Sequence, residues 1–260
     1  MRKYSKKGEF AEMGNPFSLE GKRILVTGAS SGIGRACAIQ AAELGATVLV
    51  TGRREQALAD TLSHCHGAGH ASFSGDITDS VFIGALVDRF GKIDGLVHAA
   101  GVGEMCPVGQ MTREHIESVL RPNYVAFLEL MQYYSKRKYR NDSLSVVAIS
   151  SISALAGWGG IVAYSGSKGA VSSCVRALAM ELAPRGVRVN AVCPSNIRTP
   201  MYDAVAEANT EESERKIIAK QPLGLGLPNQ VARPVCFLLS DAASFITGVN
   251  LPVDGGYLAQ

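Results

Sequence analysis

Short β-branched and apolar runs alternate along the chain with longer stretches whose apolar residues recur at helical spacing. The runs that read as strands are 23–27, 47–51, 71–73, 95–99, 145–150, 188–193 and 249–253. Between them the spacing predicts helices near 33–44, 55–63, 79–90, 112–138, 164–183, 203–219 and 229–239. Such βαβα alternation requires each crossover to return a strand in the same direction, which gives a parallel sheet covered on both faces. The predicted architecture is α/β, a doubly wound sheet of about seven strands. No repeat, low-complexity tract or Pro/Ser-rich linker interrupts it, so residues 15–260 are expected to form one domain behind a flexible leader over 1–14. In such sheets ligands sit beyond the carboxyl ends of the strands, where the strand order reverses.

Composition narrows the function classes. Apolar residues are 47% and charged residues 19%, enough apolar material for a sizeable core, which excludes wholesale disorder. The net charge is +3, and residues 1–12 hold four Lys/Arg against two Glu, so the remainder is nearly neutral and nucleic-acid binding is not favoured. A basic run at Lys136, Arg137, Lys138 and Arg140 reads as a solvated helix end, with phosphate contact as its alternative. The six cysteines are far apart and show no metal-ligand spacing, which fits packed, reduced thiols of a cytoplasmic protein and no metal site. No apolar run reaches membrane-spanning length, and no membrane partner is expected.

The first predicted strand runs directly into Gly28-Ala-Ser30-Ser31-Gly32-Ile33-Gly34 and then a helix. Glycines let the backbone come close to a pyrophosphate, and a helix start offers free N–H groups and partial positive charge. The second strand ends Thr51-Gly52-Arg53-Arg54, where an NAD-specific site would carry an acid for the ribose hydroxyls. Arg53 there suits the extra 2′-phosphate of NADP(H), which is preferred over NAD(H), while Arg54 reads as the start of a solvated helix. Asp76, after the third strand, has two candidate uses, accepting from an adenine amino group or capping the next helix.

Tyr164-Ser-Gly-Ser-Lys168 opens the helix after the fifth strand, and positions i and i+4 share a helical face. A lysine and a helix start both favour the phenolate and so lower the proton affinity of a phenol. Tyr134 and Lys138 have the same spacing, but near the end of a long helix and away from strand carboxyl ends, so they read as a decoy. Ser151, thirteen residues before Tyr164 at the end of the fifth strand, distinguishes the first pair. The trio suits carbonyl reduction: negative charge grows on oxygen, and a serine donor and a tyrosine acid stabilise and protonate it.

Over residues 18–258 the chain resembles the short-chain dehydrogenase/reductase family, through TGASSGIG at 27–34, YSGSK at 164–168, the upstream serine and LPVDGGY at 251–257. The resemblance implies a Rossmann-type fold and an NAD(P)-dependent oxidoreductase acting on alcohols and carbonyls. It implies that Ser151 orients the carbonyl, Tyr164 is the general acid/base, and Lys168 lowers the tyrosine pKa and holds the nicotinamide ribose. Asn123 matches the family asparagine that anchors a water in a proton relay, and Pro122, lacking an N–H, should loosen the helix beside it. The implied cofactor set comprises Gly28, Ser30, Ser31, Gly32, Ile33, Gly34, Arg53, Asp76, Ile77, Ala99, Ala100, Gly101, Tyr164, Lys168, Pro194, Ile197 and Thr199.

Two departures stand out. The family's Asn-Asn-Ala-Gly is His98-Ala-Ala-Gly101, where His98 reads as a structural hydrogen-bonding residue, and its Pro-Gly is Pro194-Ser195, where the backbone is expected to turn differently. Between Asn196 and Gly226, the segment that in the family folds over substrate carries Arg198, Met201, Tyr202 and a charged EESERK stretch. The chain looks most like the 3-oxoacyl-carrier-protein reductase branch, although Asp142 takes one of the basic positions that hold an acyl carrier protein and only Arg185 matches, with Arg140 nearby. A sugar, polyol, steroid-like or other secondary alcohol is the alternative substrate. A homotetramer is the implied assembly. A catalytically idle NADP-binding regulator would have no need of Ser151, Tyr164 and Lys168 together.

Overall fold

The computed structural model describes residues 14–206 and 210–259; residues 1–13 of the expected leader lie outside the described residues. The strands are β1 (Arg23–Thr27), β2 (Thr47–Gly52), β3 (Ala71–Ser74), β4 (Ile93–His98), β5 (Arg140–Ile149), β6 (Val187–Pro194) and β7 (Asn250–Val253). All pair in parallel, in the order β3-β2-β1-β4-β5-β6-β7. Successive side chains on a strand face opposite ways. Ile24 and Val26 of β1 accordingly join one buried cluster and Leu25 joins the other.

Helices α1 (Gly32–Glu43), α2 (Glu55–Ser63) and α9 (Pro228–Leu239) cover the first face, while α3 (Ser80–Phe90), α5 (Ala126–Tyr134) and α6 (Val162–Leu182) cover the second. Local sequence sets their ends. Asp79 caps α3 by accepting from the Val81 N–H at 2.8 Å, and Gly91 at φ 63° stops it. Consecutive strands run outward from β1 in one direction and from β4 in the other, so a crevice opens between these two at their carboxyl ends.

The single helix expected over 112–138 is instead α4 (Arg113–Leu120), a π-turn (Arg121–Val125) and α5. The loosening expected at Pro122 is therefore present. The solvated helix end expected at 136–140 is corrected: α5 stops at Tyr134, which is fully buried, and Arg140 opens β5, paired with Ile93 and only 2% exposed. Pairing with β4 and two acceptors for the guanidinium, the carbonyls of Asn141 and Asp142, outweigh the local helical pattern. Lys138 folds onto Tyr139, so the Tyr134/Lys138 pair is indeed a decoy. The helix expected over 203–219 is α7 (Pro200–Ala206) and α8 (Glu211–Ala219).

His98, the last residue of β4, is fully buried and joins the π-turn to the crevice. The Pro122 carbonyl can only accept, so its 3.1 Å contact places the imidazole proton on Nε2. Nδ1 then accepts from Thr27 Oγ1 at 3.1 Å, and that hydroxyl in turn accepts the N–H groups of Ala99 and Ala100. Burial and the charge of Lys168 lower the His98 pKa to about 3, so the ring stays neutral, in the structural role expected of it. His98→Leu leaves a buried carbonyl and a buried hydroxyl each short of a partner. It is expected to lower unfolding free energy by about 2–4 kcal/mol at unchanged denaturant slope. Urea denaturation followed by circular dichroism measures this, and a loss under about 0.5 kcal/mol contradicts it.

Candidate active site

Every residue predicted for the cofactor, together with Ser151, lines one cleft of about 1130 Å³ at the carboxyl ends of the strands. Gly28 turns the chain out of β1 at φ 65°, and a Cβ there would sit 2.6 Å from the Ala100 backbone nitrogen. The loops after β1 and β4 thus touch, and only glycine permits it. Gly32 begins α1 at φ 56°, a conformation that favours glycine, and the Ser31 side chain does not cap the helix start. The uncapped first turn leaves N–H donors for an anion.

Arg53 and Arg54 are both exposed at the end of β2 and line the same cleft. Arg54, read from sequence as a solvated helix start, lies 3.4 Å from both the carbonyl and the hydroxyl oxygen of Ser30, so it leans over the glycine loop. Its adjacency to Arg53 was the available signal. Asp76 does not cap α3, a task taken by Asp79; its Oδ1 accepts from the backbone and hydroxyl of Thr78. These bonds, foremost that from the Thr78 backbone, hold its carboxyl below the usual range despite partial burial, with Arg53 adding a smaller pull. Two cations, bare helix N–H groups and a glycine cradle suit a phosphate-bearing dinucleotide.

Ser151 follows β5, and its Oγ accepts the Ser153 N–H at 3.1 Å. Its own proton is thereby left to donate into the cleft. Tyr164 stands in the first turn of α6 and Lys168 one turn on, with the ammonium 5.7 Å from the phenol ring centroid. The ammonium donates to the Ile149 carbonyl at 2.8 Å. The structure therefore brings the predicted trio together. In the free protein burial raises the Tyr164 pKa, and the Ser151 hydroxyl opposes that shift. Burial also lowers Lys168 to about 8, and the neighbouring Cys193 opposes that shift. Desolvation dominates both groups, as it does for charges withdrawn from water.

Asn123 is the predicted residue that the cleft does not expose. It is fully buried in the π-turn, where Oδ1 accepts the Val102 N–H at 2.8 Å while Nδ2 donates to the Val102 carbonyl and to Ser167 Oγ. It clamps the loop after β4 to α6. At Ser195 no left-handed turn occurs, since no described residue other than glycine has positive φ. Sequence reading missed Ser153, Trp158, Lys216, Lys220 and Tyr257, which also line the cleft. Among the described residues no group of three or more His, Cys, Asp or Glu could hold a metal ion, and no helix is long and apolar enough to cross a membrane.

Residues 28–258 match the family model described as enoyl-(acyl carrier protein) reductase. The chain is 36% identical to the L-rhamnose 1-dehydrogenase (NAD(P)(+)) of Sphingomonas sp. strain SKA58, across 92% of this chain and 96% of that one. It is 33% identical to the 3-oxoacyl-[acyl-carrier-protein] reductase of Thermotoga maritima, across 92% and 98%. The crystal structure of a putative NAD(P)-dependent gluconate 5-dehydrogenase from Beutenbergia cavernae, with NADP bound at low occupancy, superposes with TM-score 0.85. That structure is 34% identical, and the match covers 95% of this chain and all of it.

The lysine shift carries a stability signature. Its folded pKa of about 8 lies below the ordinary value of about 10.4, so the fold carries a penalty for the charged form below about pH 8. That penalty fades as pH rises toward 10. The unfolding free energy of the wild type should therefore rise relative to Lys168→Met between about pH 8 and 10. Paired denaturation curves across this range measure the gap, and a gap independent of pH contradicts the burial of the charge.

Proposed function

This chain belongs to the short-chain dehydrogenase/reductase family, and on that premise we propose that it is an NADP(H)-dependent oxidoreductase that interconverts a carbonyl and a secondary alcohol on a small sugar or polyol. The observation that carries the reading is the convergence of Ser151, Tyr164 and Lys168 in the cleft that the glycine loop and Arg53 also line. Arg53 and Arg54 favour NADP(H), with NAD(H) as the weaker alternative. When bound, the dinucleotide supplies or accepts the hydride.

The chain's own groups handle the oxygen. Ser151, whose oxygen already accepts the Ser153 N–H, donates its proton to the reacting oxygen. Tyr164, held protonated by burial, gives its phenolic proton as negative charge grows there. Lys168 is cationic below about pH 8, and with its ammonium tied to the Ile149 carbonyl it adds positive potential under the phenol. Asn123 holds the loop after β4 against α6, which keeps this wall in place.

The sugar and polyol reading is preferred to a 3-oxoacyl thioester on an acyl carrier protein. The L-rhamnose enzyme and the gluconate 5-dehydrogenase structure support it. The basic patch a carrier would need is weak, because Arg140 is buried and Asp142 pairs with Arg137 at 3.5 Å. We also propose a homotetramer, supported by the exposure of Met180 on α6 and of Phe245. A cytoplasmic location accords with six free thiols. The single domain over 15–260 is part of this reading.

Tyr164→Phe is the direct test of the acid. Turnover with NADPH and any accepted ketone should fall by about 10²–10⁴, while NADPH binding, read by fluorescence titration, stays within about twofold. Retained turnover contradicts the role given to the phenol.

A further inference from the structure

One wall of the cleft has no part in the chemistry above. The segment after β6 forms it. A Cβ at Gly32 would lie 3.2 Å from the Thr199 side chain, and a Cβ at Gly103 would lie 3.3 Å from the Tyr164 ring and 3.5 Å from the Met201 sulfur. The start of α7 therefore runs from the glycine loop to the phenol. Beyond it, α8 and the turn that follows bring Lys216, Ile217 and Lys220 to the same cleft. Gln221, only 3% exposed, fixes that turn: its amide donates to the carbonyls of Asn196 and Gly224, and its oxygen accepts the Asn196 N–H at 3.0 Å.

Two half-buried aromatic rings of the cleft meet Lys220 there. Tyr257 arrives from the C-terminal turn, which is held where the Leu223 N–H donates to the Gly255 carbonyl at 3.1 Å. Trp158 arrives from the segment that joins Ser151 to Tyr164, tied to the loop after β4 by the Cys106 N–H donating to the Gly160 carbonyl at 2.6 Å. The ring centroids are 5.4 Å apart at an interplanar angle of 48°, and the Lys220 ammonium lies 6.0 Å from the Tyr257 centroid. The cleft thus holds a second lysine over a tyrosine ring. Lys168 over Tyr164, at 5.7 Å, serves the reacting oxygen, and Lys220 over Tyr257 offers a second point of attachment. An ammonium against an aromatic face sheds part of its hydration, so an anion that reaches it is attracted more strongly than in bulk water. Ring faces take C–H surface, while a few placed polar groups fix a ligand's orientation.

We infer that Trp158, Tyr257 and Lys220 form a subsite for a carboxylate carried on the substrate away from the reacting carbon, so that the substrate is an acidic sugar or another oxo or hydroxy acid and not a neutral one. The inference rests on the oxidoreductase reading and adds a charge to it. The rings hold the carbon skeleton, the ammonium holds the carboxylate, and the remaining end of the molecule is presented to Ser151 and Tyr164.

The test titrates the full-length protein, saturated with NADP⁺, with D-glucuronate and with 5-oxohexanoate, each against its primary amide, which has the same shape without the charge. Trp158 is the single tryptophan, so its emission reports the subsite directly. At low salt at least one acid should change that emission and bind about tenfold or more tightly than its amide, and kcat/KM should show the same preference for any pair that is turned over. Lys220→Met, which keeps the apolar stem, should shrink the acid-to-amide ratio by about tenfold, and Lys216→Met by less than about twofold. A preference seen with glucuronate alone supports an acidic sugar, and one seen with 5-oxohexanoate supports a simple oxo acid. Acids that neither bind nor react better than their amides, an emission that no acid changes, or a ratio unmoved by Lys220→Met overturns the inference and leaves the oxidoreductase reading standing. An equal loss in Lys216→Met, or weaker NADPH binding in Lys220→Met, also overturns it. Failure to bind any dinucleotide overturns the parent reading and this one together.

Discussion

The cleft depends on one buried chain of hydrogen bonds, from the Pro122 carbonyl through His98 and Thr27 to the N–H groups of Ala99 and Ala100. Each link joins a different part of the fold. The carbonyl belongs to the π-turn that also carries Asn123, the imidazole ends β4, the hydroxyl ends β1, and the two amides begin the loop that faces Gly28. The strand-order reversal opens the crevice between β1 and β4, and this chain sets its floor. A neutral ring is what makes it work: one nitrogen must donate and the other accept. Burial keeps the ring neutral, and the charge of Lys168 acts in the same direction.

Desolvation sets the proton inventory of the site. Tyr164 is pushed up and Lys168 down, so the free protein holds a neutral phenol over an ammonium that is only moderately basic. That state is ready to give a proton to a developing alkoxide, and the opposite direction requires the phenol to lose its proton against the same burial. Cys193 lies near enough to Lys168 for the two to shift each other, and burial raises its own thiol pKa.

Much of this was legible from residue patterns. Strand cores such as Ile24 to Val26 and the glycine turn at Gly28 follow from local composition, and the Tyr164, Lys168 and Ser151 spacing placed the trio at one strand end. What escaped reading depends on partners distant in the chain. Arg140 looks like part of a charged helix end until Ile93 pairs with it across the sheet. The break in the long helix was signalled by Pro122, but its carbonyl finds its partner in His98, 24 residues away. Arg54 resembles any solvated helix start until Ser30 comes beneath it. Trp158, Lys220 and Tyr257 come from three separate segments, and only the fold brings them together.

We propose that this cleft holds a nicotinamide dinucleotide with its reactive ring against Ser151 and Tyr164. The crystal structure of the protein grown with NADP⁺ tests it most directly. The pyrophosphate is expected over the Gly28–Gly34 loop, the 2′-phosphate at Arg53 and Arg54, and the nicotinamide between Tyr164 and the loop after β6. A dinucleotide bound elsewhere, or bound here with its nicotinamide turned away from the tyrosine, would contradict it.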